Sequence, residues 1–118
     1  MRPLHVAKRA RRVDFEAVNL AALARFPELL ARWLPDGRVS GREYIARNPR
    51  RDDRRPGSFR VNLNSGRWAD FACDARGGYV VSLAAYLGGL SQIEAARRLA
   101  GILGVGDGRG GDVRAIGA

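Results

Sequence analysis

Between Pro56 and Gly78 the chain runs PGSFRVNLNSGRWADFACDARGG, and this stretch limits the fold more than any other. Phe59, Val61 and Leu63 alternate with Arg60 and Asn62, the period of a strand with one buried face. Asn64-Ser65-Gly66 supplies turn chemistry, with the glycine placed for a left-handed bulge position. Arg67 to Phe71 then returns as the partner strand. A hairpin of this kind needs a third strand or a helix to cover its apolar face.

Candidate covers lie on both sides in the sequence. Upstream, Asp14 reads as a helix N-cap, followed by Phe15, Val18, Ala22 and Leu23 at helical spacing. Pro27 suits the first turn of a second short helix, Glu28 to Leu34, which Pro35-Asp36-Gly37 ends. Arg42 to Ala46 reads as a short strand with Tyr44 and Ala46 on one side, and Arg47 to Arg55 as an aperiodic, arginine-rich loop. Downstream, Gly77-Gly78 turns into a helix over about Val80 to Leu87, stopped by Gly88-Gly89. Ser91 and Glu94 have the spacing of a capping box. Ile93, Ala96, Leu99, Ala100 and Leu103 form the apolar stripe of a last helix, closed by Gly104. The expected fold is α+β: a small antiparallel hairpin sheet flanked by N-terminal and C-terminal helices. Residues 13–105 form the single module, 1–12 a flexible basic arm, and 106–118 a disordered glycine-rich tail.

The net charge is +9 over 118 residues, with 21 basic residues of which only Lys8 is a lysine. A charge this large favours polyanionic partners, chiefly nucleic acid, and says nothing about fold. A GC-rich genome also favours arginine codons, which explains arginine over lysine but not the excess over acids. The charge is uneven: residues 1–60 hold fifteen basic residues and seven acidic ones, whereas residues 61–118 hold six and five. That asymmetry points to one basic face or arm. One cysteine, Cys73, excludes an internal disulfide and favours a reducing cytoplasm. No apolar run approaches the ~20 residues of a membrane helix, so no membrane partner is expected.

The order of these pieces resembles the zinc-binding domain of DNA primases, a zinc ribbon with Cys-His-Cys-Cys ligands, over roughly Gly41 to Val105. Gly41-Arg42-Glu43-Tyr44 matches the strand entering the first ligand pair. Asn48-Pro49 and the following Arg50-Arg51-Asp52-Asp53 stand where that family has Cys-Pro-x-His. Counting back from Gly77-Gly78 without gaps, the last two cysteine positions fall on Phe71 and Asp74, with Cys73 one residue off. The helices after Gly-Gly are similar too. The resemblance implies a degenerate, zincless member, as in primase-like proteins of plasmids and other mobile elements. Structural zinc needs about four nitrogen or sulfur ligands. One cysteine and one remote histidine, His5, do not supply them, so no metal and no other cofactor is expected. Phe59, Trp68, Tyr44 and Phe71 are the expected replacements for the metal, with Phe71 as a hydrophobic plug.

The resemblance also implies an accessory role on single-stranded template DNA, in replication or mobile-element maintenance, together with replication proteins. A positive groove with exposed aromatics holds single strands with little sequence preference. The candidates are Arg47, Arg50, Arg51, Arg54 and Arg55 in the loop, Arg60 and Arg67 on the hairpin, and Trp68 as a stacking ring. Lys8, Arg9, Arg11 and Arg12 are further phosphate contacts, while Tyr79 and Tyr86 read as structural. Two other readings stand beside this one. In the first the domain recruits a replication or partition protein; in the second it binds duplex DNA through the Ser91 to Leu103 helix with Arg97 and Arg98. Catalysis is not expected: Cys73 has no histidine to activate it, and Asp52-Asp53 is too small a carboxylate set for two-metal chemistry.

Overall fold

The computed structural model describes residues 13–52 and 54–105. The basic arm with Lys8, Arg9, Arg11 and Arg12, the glycine-rich tail 106–118, and Asp53 lie outside the described residues. Two helices, α1 (Phe15–Ala24) and α2 (Phe26–Trp33), lead into strands β1 (Arg38–Ser40), β2 (Glu43–Ala46), β3 (Phe59–Asn62), β4 (Trp68–Asp70) and β5 (Arg76–Gly77); α3 (Val80–Gly88) and α4 (Gln92–Leu103) follow. The strands form one antiparallel sheet in the order β1-β2-β3-β4-β5. The fold is therefore the expected α+β arrangement, with a larger sheet than the hairpin and its one neighbouring strand.

Local chemistry accounts for the helix ends. The Asp14 carboxylate accepts from the Ala17 N–H at 3.0 Å and caps α1. Pro27 sits in the first turn of α2, which begins at Phe26 rather than Glu28. Ser91 and Glu94 make both hydrogen bonds of the capping box, and Gly104 closes α4 in the left-handed region at φ +74°. The start of α3 has no side-chain cap of its own. Asn19 of α1 supplies one across the core, its Oδ1 accepting from the Val81 N–H at 2.9 Å.

Period-two alternation sorts the sheet into two faces. Tyr44, Ala46, Phe59, Val61 and Trp68 point inward and join one cluster with buried residues of all four helices, among them Val18, Phe26, Leu30, Leu83 and Leu99. Phe59 meets Trp68 edge-on at 6.1 Å, and Trp68 lies 4.8 Å from the Tyr86 ring. The Tyr44 hydroxyl donates to the Leu34 carbonyl at 2.7 Å, fastening β2 to the end of α2. Glu43, Ile45, Arg60, Asn62, Ala69 and Arg76 share the outward face.

Three expectations about packing are corrected. Phe71 is not a plug: it is 74% exposed, because alternation from the inward Trp68 turns residue 71 outward. Ile93 is 42% exposed, and Ala95 takes its place in the core. Tyr79 is 64% exposed. The Gly-Gly pair is also asymmetric. A side chain on Gly77 would strike the Trp68 indole and the Ser82 hydroxyl, whereas Gly78 faces open space and neither has a positive φ. Close approach to Trp68, not backbone freedom, is what demands a glycine at position 77.

Candidate nucleic-acid interface

The arginine loop between β2 and β3 does not present its cations as one patch. Arg47 pairs with Asp36 at 2.9 Å and, chiefly through that hydrogen bond, holds the Asp36 carboxyl below its usual value. Arg50 lies over the Tyr86 ring at 5.5 Å and reaches Gly89 at the C-terminal end of α3, where the helix dipole favours a cation. Arg54 and Arg55 are exposed, with Asp52 a loose 3.8 Å from Arg54.

Arg51 is committed to the interior. Its guanidinium makes a bidentate pair with Asp70, at 2.6 Å through Nε and 3.1 Å through Nη2, and Nη2 also donates to Ser58 Oγ at 2.7 Å. Asn48 donates to the same carboxylate at 2.8 Å and to the Tyr86 hydroxyl at 2.9 Å. The Ala72 N–H adds a further bond at 2.9 Å. The Asp70 side chain is fully buried. Burial alone would raise its carboxyl, but the bonds from Arg51, Asn48, Ala72 and Ser58 outweigh burial and hold it far below the carboxylate range. One buried carboxylate thus joins the arginine loop, the start of β3, the β4–β5 turn and α3.

Asn48 and Arg51 are three residues apart, as are Asp70 and Cys73, whose N–H donates to the Asp70 carbonyl at 3.1 Å. Asp70, and not Phe71, faces Asn48. The group does not fit zinc. Arginine stays protonated and has no lone pair to donate, and here it already neutralises the Asp70 carboxylate. The described residues hold no cluster of three or more His, Cys, Asp or Glu side chains.

The open face of the sheet has a different character. Glu43, Arg60, Asn62, Arg67, Ala69, Phe71 and Arg76 line a shallow concavity of about 620 Å³. Arg67 and Arg76 are exposed and make no side-chain hydrogen bond or ion pair among the described residues. Arg60 donates to Glu43 at 3.0 Å and to the Gly57 carbonyl at 2.8 Å. Ala69 forms a low floor between Arg60 and Arg76, its partners across the strands. Phe71 stands at one end of the concavity with most of its ring in solvent.

Of the predicted contacts, Arg60, Arg67 and part of Trp68 line the concavity. Arg47, Arg50 and Arg51 are engaged elsewhere. Trp68 is 5% exposed and its ring is held between Phe59 and Tyr86, so it has no face for a base. Phe71 and Arg76 are the residues that sequence reasoning missed. The alternation that set Phe59 and Val61 inward carried the signal for Phe71; Arg76 belongs to a strand too short to have a period. Among the described residues, no helix is long and apolar enough to cross a membrane. The chain matches no family model and no curated protein.

Proposed function

We propose that this chain binds single-stranded nucleic acid, DNA in preference, on the open face of its sheet, as a non-catalytic accessory module. The observation that carries the reading is the exposed Phe71 ring in one concavity with Arg60, Arg67 and Arg76. A stacking platform beside phosphate-binding cations is the general solution for holding unpaired strands. The sheet is pinned from behind by the core and by the Asp70 clasp, so these side chains project from a rigid base. The net charge of +9 adds long-range attraction. The resemblance of the segment Gly41 to Val105 to the primase zinc-binding domain supports a setting in replication or mobile-element maintenance. In this reading a salt-bridged clasp takes over the fastening role of the metal.

Fluorescence anisotropy with labelled single-stranded and duplex DNA of equal length, over a salt series, tests the proposal. Single strands are expected to bind more tightly. Phosphates at Arg67 and Arg76 alone give a log–log salt slope of about −1.4, with Arg54 and Arg55 adding to it. Duplex preference would instead favour the exposed Arg97 and Arg98 on α4. The protein-interaction reading has one observation in its favour, an apolar groove between α3 and α4 lined by Trp33, Leu87, Leu90, Leu99 and Ile102. Absence of DNA binding at low salt would move that reading ahead.

A further inference from the structure

A carboxylate does not belong in a surface that only neutralises phosphates, yet Glu43 lines the concavity beside Arg60 and Arg67. A nearby negative charge repels a phosphate backbone, so a purely sequence-independent binder has no use for it. Glu43 is moreover held in place. Arg60 grips its Oε1 at 3.0 Å while being anchored itself to the Gly57 carbonyl at 2.8 Å. A carboxylate offers about four lone-pair sites, so one bond from Arg60 leaves acceptor capacity on both oxygens.

Its cross-strand partner is Asn62. The Asn62 amide has a defined orientation: Oδ1 accepts from the Asn64 and Ser65 N–H groups, each at 2.9 Å. Two N–H donors on one atom identify that atom as the oxygen, and the Nδ2 group is left as the donor. The outward face thus carries a fixed acceptor pair next to a fixed donor, on neighbouring strands whose opposed side chains lie ~5 Å apart.

We infer that Glu43 and Asn62 read the Watson–Crick edge of a guanine in the bound strand. This rests on the single-strand reading above and adds base choice to it. Guanine offers N1–H and N2–H to a carboxylate and O6 to an amide donor, so all three positions pair. Adenine offers one donor and one acceptor on this edge, and thymine and cytosine one donor and two acceptors, so each leaves a carboxylate oxygen without a donor. Unpaired strands expose these edges, which are closed in a duplex. Glu43 and Asn62 lie in the row that continues to Arg67, and Arg67 is four residues, ~13 Å along the strand, from Phe71. The guanine is accordingly a different nucleotide from the one stacked on Phe71, with the strand running over Ala69 between them.

The test uses the whole chain and dT oligonucleotides of about twelve residues, unmodified or with one central guanine, inosine, adenine or cytosine. The guanine oligonucleotide is expected to bind about tenfold more tightly than the all-thymine one, the size of one bidentate base contact. Inosine, which lacks the N2 amine, should lose a large part of that gain. In Glu43→Gln the guanine-to-thymine ratio should fall to near one, whatever happens to overall affinity, and Asn62→Asp should lower it too. Equal affinity of the wild-type chain for all the oligonucleotides would overturn the guanine site and leave single-strand binding standing. Failure to bind any of them would overturn both.

Discussion

Asp70→Ala is expected to destabilise the domain by about 3 kcal/mol, the low end of the cost of breaking a buried ion pair, because the arginine it leaves behind is 29% exposed. For a domain of this size that lowers Tm by on the order of 20 °C. The deletion strands the Arg51 guanidinium and the Asn48 amide, both of which point at the lost carboxylate. Arg51→Ala should cost at least as much, because it leaves the fully buried Asp70 carboxylate without its cation, and the double variant much less than the sum, because both single changes break the same pair. The pH dependence has a definite sign. The Asp70 carboxyl is held far below its unfolded value of ~3.9, so the unfolded chain takes up the proton first. The stabilisation is complete above that unfolded value and is lost progressively as pH falls toward the folded one. Asp70→Asn should flatten the acid limb of the stability curve. Thermal melts of the four variants between pH 3 and 7 check this, and an Asp70→Ala Tm within a few degrees of wild type would remove the clasp from the account.

Phe71→Ala is the counterpart on the open face. With a ring 74% exposed, its loss should change stability by less than ~0.5 kcal/mol. Single-strand affinity should nevertheless fall by about 1–3 kcal/mol, the worth of one stacked base. Because stacking releases no counterions, the salt slope should be unchanged. Arg67→Ala combined with Arg76→Ala should do the reverse, flattening the slope by about 1.4. Phe71→Tyr should bind as wild type. An unaltered Kd in Phe71→Ala would take the aromatic out of the site. Trp68→Ala, by contrast, should unfold the domain or cost ~3–5 kcal/mol through the core.

Much of the fold is legible in the chain because its signals are local. Asp14, the Ser91–Glu94 box, Gly66 and the alternation from Phe59 all act over a few residues, and each forms as expected. Strands β1 and β5 were not legible, since three and two residues carry no period and owe their strand geometry to pairing with β2 and β4. The clasp was hidden for another reason. Asn48, Arg51 and Asp70 are separated by 19 and 22 positions and meet only after β3 and β4 pair. In the sequence Arg51 looked like one more cation of a basic loop. The exchange of roles between Trp68 and Phe71 was within reach: once the inward position of Trp68 is known, the strand period alone turns Phe71 outward.

The central claim is that the strand lies across the sheet, and amide chemical shifts recorded while single-stranded DNA is titrated into the labelled protein test it most directly. The account predicts the largest changes at Arg60, Asn62, Arg67, Ala69, Phe71 and Arg76, with α4 nearly silent. Changes centred on Arg97 and Arg98, with the sheet unmoved, would contradict it.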